Sequence, residues 1–411
     1  MESLSEKVCI VGVGGTAYMK ASHRTTLSMS CEAIKKAMDD AGLSAREVDG
    51  VAGFQVNDSV RNEYVAHALG IRMNYGCDLY SGGSTPEAVA LHAAGLIAGG
   101  YCHTVAIYRS MNGRTGRRMG GQAVGGPGSI VVDDTQHYNQ QFAVPAGISS
   151  AGALFGISAM RYLHEFGAST RTFGQIAATF RRHASLNPRA LMRTPITVED
   201  HQRSRWVVKP FRLLDFCLEN DTAQAFIVTS RERAYDLKQP PVYILGGIAR
   251  QCSPDPAGGW NYSRPNYYVH SGIYARNRLW GNAGVRADQI DVASIYDAVS
   301  YCVIEELEAF GFCAIGEAPG LIADGGLGLD GALPCNTGGG QLSEGYAHGV
   351  GLINEVVRQL RHRADDACPG WAAGRHSYDR AAGCRQVRKA SLGACIAEGG
   401  DTRGSALILR S

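Results

Sequence analysis

The chain predicts an α/β protein: a layered fold in which one unit of strands and helices is built twice, with a loop domain inserted in the first copy. Three observations carry this. Apolar strand-like runs alternate with amphipathic helical runs along the N-terminal third. The phrase AGLSAREVD at 41–49 returns as AGVRADQID at 283–291, 242 residues later, with Ala41, Gly42, Ala45 and Asp49 matched by identical residues. The 52 glycines fall in no low-complexity run, so they mark tight turns and close backbone packing and not disorder.

The elements follow in order. KVCIVGVGGT reads as a buried strand ending in a glycine turn, and LSMSCEAIKKAMDDAGL as a helix stopped by Gly42. VDGVAGFQV is a second strand. STPEAVALHAAGLIAGG is a helix with Ser84 or Thr85 as its cap, Pro86 in its first turn and Gly99–Gly100 at its end. HTVAIYRS is a third strand. This alternation predicts a largely parallel sheet. The apolar stretch from Phe142 to Met160 carries serines and many small residues, and reads as a buried helix, not a membrane span.

The layout then returns. PVYILGGIA near 241 matches KVCIVGVGG near 7, and GGGQLSEGYAHGVG matches GGSTPEAVALHAAG. The two units are 1–236 and 237–411. The segment at about 112–208 is an insertion in the first, with helices in ALFGISAMRYLHEFG and TFGQIAATFRRHAS, and a strand at 224–230 returns to the core. A second long segment, 363–390, reads as an exposed loop.

A net charge of +2 and a pI near 8.0 exclude a nucleic-acid-binding surface. The dense basic cluster, Arg114, Arg117 and Arg118, is either a solvated loop or one that meets an anionic ligand or a partner subunit. The 12 cysteines show no CxxC pair and no zinc-like spacing, so no metal site is expected. Scattered thiols, and an N-terminus without a secretory apolar core, read as a cytoplasmic protein.

Four phrases resemble the thiolase superfamily, and the resemblance spans nearly the whole chain. GGSTPEAVALHAAGLIAGG resembles the strand-to-helix turn that carries the thiolase nucleophile. DVASIYDAVS resembles the Asn/His-Glu-Ala-Phe segment, CNTGGGQLSEGYAHG the late glycine loop, and EGGDTRGSALIL the terminal hairpin. The departures narrow it. Aligning Ala88 with the alanine of Cys-x-Ser-Gly-x-x-Ala puts Gly82 where the acylated cysteine belongs. Tyr296 falls on the Asn/His position and Tyr346 on the activating histidine. The hairpin reads CIAEGGD, which leaves the second cysteine out of register. Acyl transfer needs a thiolate in line with a base, and none is placed for it; Cys77 and Cys335 read as small buried hydrophobes.

Tyrosines at both positions, with YRSMNGRTGRR, PITVEDHQRSRWVVKPFRLLDFC and IYDAVSYCVIEELEAFGFC, resemble the thiolase-like steroid side-chain aldolases, also called lipid-transfer-protein-like retro-aldolases. That resemblance implies retro-aldol cleavage of a β-hydroxyacyl-CoA, with coenzyme A carried by the substrate and no resident cofactor. It implies a homodimer joined through an edge strand, taken as 103–109, and a small zinc-ribbon/OB-fold partner in an α2β2 complex. Tyr296 and Tyr346 are expected to handle the hydroxyl and α-carbon protons. Gly82, Gly339 and Gly340 are expected to offer amides to the thioester oxygen, and Asn336 to orient the thioester or a water. Asp297, Glu344 and His348 are candidates for tuning. Two other readings stay open: an inert acyl-CoA- or lipid-binding scaffold, and an acyltransferase with a displaced cysteine.

Overall fold

The structure, a computed structural model, describes residues 4–116, 145–148, 150–252, 266–368, 371–372, 378–398 and 403–411. Its strands are β1 (Val8–Gly15), β2 (Gly50–Gln55), β3 (Tyr75–Tyr80), β4 (Thr104–Asn112), β5 (Trp206–Val208), β6 (Phe211–Arg212), β7 (Asp221–Ser230), β8 (Val242–Cys252), β9 (Val292–Ile295), β10 (Leu392–Glu398) and β11 (Arg403–Arg410). The helices of eight or more residues are α1 (Thr26–Ala41), α2 (Asn62–Leu69), α3 (Pro86–Ala98), α4 (Ala151–Phe166), α5 (Thr170–Leu186), α6 (Arg276–Ala283), α7 (Ser300–Ala309) and α8 (Val350–Leu360).

Among the described residues one sheet runs β3-β2-β4-β7-β1-β8-β11-β10-β9, and β5 and β6 form a separate hairpin. The sheet is mixed, not largely parallel. Only β2–β3, β2–β4 and β9–β10 pair in parallel, and the other ladders are antiparallel. Outward from the central β1–β8 pair the two sides match. The next strand (β7 or β11) is antiparallel to the first, the one after it (β4 or β10) is antiparallel again, and β2 or β9 then runs parallel to that strand. The segment 103–109 is therefore no edge: β4 lies between β2 and β7, and the half-exposed β3 borders that side.

The repeated phrase has a physical reason. Gly42 and Gly284 both end their helices in the left-handed conformation, at φ 77° and 67°. A single 3₁₀ turn follows each, at Ala45–Glu47 and Ala287–Gln289. The Asp49 carboxylate then accepts the amides of His103 and Thr104 at 2.9 and 2.8 Å, at the start of β4. Asp291 accepts those of Ser391 and Leu392 at 2.9 and 2.8 Å, at the start of β10. The aspartate clips one strand to its parallel neighbour in both halves.

Strand alternation divides the core. Val8 and Ile10 face one cluster, Cys9 and Val11 another. The first cluster takes Val89, Ala93 and Ile97 of α3 with Val350, Ile353 and Val357 of α8. A helix from each half thus shares one face of the sheet. α1 and α2 cover the opposite face in the first half. In the second half α6 and α7 do so, joined by the inserted α4 and α5. The two shared helices meet at their N-termini: Gly349, at φ 89°, lies so close that a Cβ would stand 3.0 Å from Pro86.

Several expectations change. Thr85 takes the N-cap position of α3 but makes no side-chain capping bond; its hydroxyl donates to the Gly82 carbonyl at 2.6 Å. The segment 363–390 is not simply exposed, since Arg385 is fully buried and donates to Glu355 at 2.5 Å. Arg114 lies 3.7 Å from Glu219, while Arg117 and Arg118 fall outside the described residues. Among the described residues no helix is long and apolar enough to cross a membrane.

Removing either clip leaves amides without acceptors. Asp49→Ala and Asp291→Ala are each expected to lower unfolding free energy by about 1–3 kcal/mol, read as a lower urea midpoint.

Candidate active site

Tyr296 continues directly from β9. Its amide donates to the Ile396 carbonyl at 3.0 Å, and to Glu306 Oε2 at 3.2 Å. Tyr346 arrives from the late loop, where Asn220 clamps its backbone on both sides: the Tyr346 amide donates to Asn220 Oδ1 at 2.7 Å, and Asn220 Nδ2 donates to the Tyr346 carbonyl at 3.1 Å. The two phenol oxygens stand 3.0 Å apart. Tyr296 is 4% exposed and Tyr346 is half-buried. Burial above all, then Tyr346 and Cys217, raises Tyr296 well above its ordinary value. Burial, then Cys217, does the same to Tyr346. Both are neutral phenols.

The glycine loop is tied to the fold, which corrects several expected roles. Asn336 Nδ2 donates to the Ile295 carbonyl, and its Oδ1 accepts the Ile295 amide, both at 2.8 Å. Its side chain therefore locks the loop to the end of β9 and is not turned to a ligand. The Gly339 amide donates to the Asn336 carbonyl at 2.8 Å, so it is not free for an oxyanion. At Gly340 a Cβ would overlap the Asp297 carboxylate. That carboxylate accepts the Gln341 and Leu342 amides at 2.9 and 3.1 Å, capping the turn Gly340–Ser343, and burial pushes it up to about 7. Glu344 points into another network: it accepts from Asn187 at 3.0 Å, and burial, then Glu355, pushes it up to about 7.

Among the described residues the nucleophile turn is open where the loop is closed. A Cβ on Gly82 would meet one described atom within 4 Å, His348 Nε2 at 3.8 Å. A Cβ on Gly83 would stand 2.5 Å from Tyr296 Cζ and closer still to the Glu398 carbonyl. His348 packs against Tyr346 with ring centroids 4.8 Å apart. It does not point away along the helix: the loop holds it at φ 47°, before α8 begins. Arg109, in β4, donates through Nε and Nη2 to His348 Nδ1 at 3.0 and 2.9 Å, and through Nη2 to Asp58 at 2.5 Å. Sequence reasoning missed Arg109, Asp58, Asn220 and Cys217. Only Arg109 left a signal, as a cation inside the apolar run TVAIYRSMN.

Residues 264–370 match a family model described as "Thiolase C-terminal domain-like". The chain is 40% identical over 365 residues to 17-hydroxy-3-oxo-4-pregnene-20-carboxyl-CoA lyase of Mycobacterium tuberculosis, covering 87% of this chain and 92% of that protein. It is 38% identical over 370 residues to a steroid side-chain-cleaving aldolase of Thermomonospora curvata, covering 88% and 92%. The chain belongs to the thiolase superfamily, in its group of steroid side-chain-cleaving aldolases. A solved Ltp2-ChsH2(DUF35) aldolase superposes with a TM-score of 0.86 at 33% identity, covering 100% of this chain and 99% of that one. Human mitochondrial 3-ketoacyl-CoA thiolase in complex with CoA shares the fold, with a TM-score of 0.67 at 15% identity over 100% and 99% of the two chains.

No described thiol restores thiolase chemistry to this aldolase-group chain. Burial raises Cys335 and Cys395 well above the ordinary thiol value, and Cys217 to about 12, so none is a ready thiolate. Cys77 sits on the edge strand β3, paired in register with Ala52. Among the described residues Cys302, Glu305 and Glu398 bring ligand atoms within 4.8 Å of one another, but burial holds the Cys302 thiol well up and protonated. Ser84, in the nucleophile turn, has a buried hydroxyl without a partner among the described residues.

Two adjacent glycines should respond differently. Gly82→Ala is expected to leave Tm within about 2 °C of the parent, because the added methyl meets no described atom closer than ordinary van der Waals contact. Gly83→Ala is expected to lower Tm further and to cut turnover, because its methyl drives into the Tyr296 ring. Thermal scanning and a cleavage assay compare them.

Proposed function

We propose that this protein cleaves a steroid side-chain β-hydroxyacyl-CoA by a retro-aldol reaction. The observation that carries this reading is the pair of neutral tyrosine hydroxyls 3.0 Å apart, beside a nucleophile position held by glycine. The M. tuberculosis relative is named for a substrate with a ring hydroxyl at carbon 17 and a CoA thioester carboxyl on carbon 20. Carbon 20 is then the α-carbon and carbon 17 the β-carbon. Breaking the bond between them gives a 17-ketone and a three-carbon acyl-CoA. The α-carbon of such a substrate is branched, which suits the space at Gly82.

The protons balance through the hydroxyl pair. The β-hydroxyl proton moves to one tyrosine oxygen, and the O–H electron pair becomes the new C=O bond. The Cα–Cβ pair passes into the thioester enolate. The first tyrosine's own proton crosses to the second, whose proton goes to the α-carbon, and the enolate pair forms the new C–H bond. Each tyrosine ends neutral, as it began, so no phenolate has to form in a buried site.

The reaction draws on no resident cofactor, since coenzyme A arrives with the substrate. The solved relative is named for two components, Ltp2 and ChsH2(DUF35). That name supports a second protein component for this chain; the further reading is that the partner is a small zinc-ribbon/OB-fold protein in an α2β2 assembly around a homodimer, working in the cytoplasm.

Tyr296→Phe and Tyr346→Phe are each expected to reduce kcat at least about tenfold without unfolding the chain. Because the hydroxyls act as one relay, the double variant is expected to be about as slow as the slower single one. Mass-spectrometric detection of ketone and short acyl-CoA, with the partner present, measures both. Full turnover by both single variants, or no cleavage by the parent chain, defeats the reading.

A further inference from the structure

Retro-aldol cleavage places negative charge on the thioester oxygen, and a buried site needs a donor aimed at it. The Gly339 amide and those of Gln341 and Leu342 are already engaged within the loop. His348 offers a side-chain donor at the Gly82 position.

Arg109 fixes the chemistry of His348. A guanidinium only donates hydrogen bonds and stays protonated in proteins. Two of its nitrogens converge on His348 Nδ1, at 3.0 and 2.9 Å. Nδ1 must therefore be the lone-pair nitrogen, and the ring proton sits on Nε2. The cation is itself held in place. Asp58 accepts from its Nη2 at 2.5 Å, the Ser110 carbonyl accepts from its Nη1 at 2.9 Å, and the Phe54 ring lies 5.5 Å from its centre. Asp58 is anchored in turn by the Val56 amide at 3.0 Å. Arg109 is fully buried and His348 is 2% exposed. Burial, then the charge of Arg109, pushes His348 down to about 3, so it is neutral and a poor base. Its Nε2 makes no hydrogen bond among the described residues, and it stands 3.8 Å from where a Gly82 side chain would begin.

We propose that His348 is a catalytic residue of the cleavage, whose Nε2–H donates to the thioester oxygen as it becomes an enolate, in the space left by Gly82. Arg109 and Asp58 are its positioning residues. This rests on the retro-aldol reading and adds a role that the tyrosine pair does not fill. The tyrosines move protons, while His348 stays neutral, keeps its proton and polarises the carbonyl. As charge develops on the oxygen, the Arg109 cation behind the ring strengthens the same hydrogen bond.

The test uses the full-length chain and its His348→Asn variant, with propionyl-CoA labelled with carbon-13 at the carbonyl. Asparagine accepts the left-handed backbone at this position. In the parent, binding is expected to shift the thioester carbonyl stretch to lower wavenumber than in water. In His348→Asn the shift is expected to vanish, with Tm unchanged and kcat on a steroid β-hydroxyacyl-CoA down by about 10²–10³-fold. An unshifted carbonyl in the parent, or a variant that keeps both shift and turnover, overturns the proposal. If the variant fails to fold, nitrogen-15 spectra of the parent decide. A proton on Nδ1 overturns it, and an Nε2–H resonance that moves when propionyl-CoA binds supports it. A parent that shows the carbonyl shift but cleaves no steroid substrate defeats the retro-aldol reading and leaves the donor role standing.

Discussion

The two-way hydrogen bond between the Asn336 side chain and the Ile295 backbone holds the site together. It ties the late loop to the last residue of β9, so Tyr296 and the loop share one frame. From that anchor, Asp297 caps the turn that follows, and Asn220 clamps Tyr346 from the far side. A 3.0 Å approach between two phenol oxygens on different segments needs such bracing. Backbone clamps offset part of the cost of ordering both rings.

The duplication explains how two distant turns meet. A helix from each half lies on the same face of one sheet, so the nucleophile turn before α3 and the loop before α8 converge. Repeated capping glycines and repeated aspartate clips set that layout. They also show why the repeat was legible: Gly42, Ala45 and Asp49 each do a local job that their counterparts repeat, so identity survives where surface positions have drifted.

Other features could not be read locally. Strand alternation reports burial but not direction, and the long insertion between β4 and β7 hides their antiparallel pairing. Hence a mixed sheet where a parallel one was expected, and an interior β4 where an edge was expected. The tyrosines were legible because motif spacing places them. Arg109 within β4, Asp58 beyond β2 and Asn220 just before β7 reach the site from segments whose meeting depends on sheet order, which no local pattern encodes. Gly339 points the other way. The loop spacing suggested amides open to a ligand, but the Gly339 amide is taken by the Asn336 carbonyl, and Gly339 and Gly340 let the loop approach Ala184 and Asp297 closely.

Replacing sulfur by hydrogen at residue 82 changes more than the nucleophile. A thiolate site must hold an anion and a cationic imidazole side by side, and burial penalises both. Here the groups nearest the open space are two phenols and one imidazole, all neutral, and the full charges are set one step back. Arg109 and Asp58 largely cancel each other while the site is at rest. An enolate formed above Gly82 would break that balance in the favourable direction, because the imidazole that donates to it is backed directly by the Arg109 cation, while Asp58 reaches that ring only through the same guanidinium. A neutral site with a polarisable donor chain therefore favours the charge of the cleavage step without having to hold an ion beforehand. The same arrangement is poorly suited to acylation, since His348 has no lone pair facing residue 82 with which to take a proton from a nucleophile there.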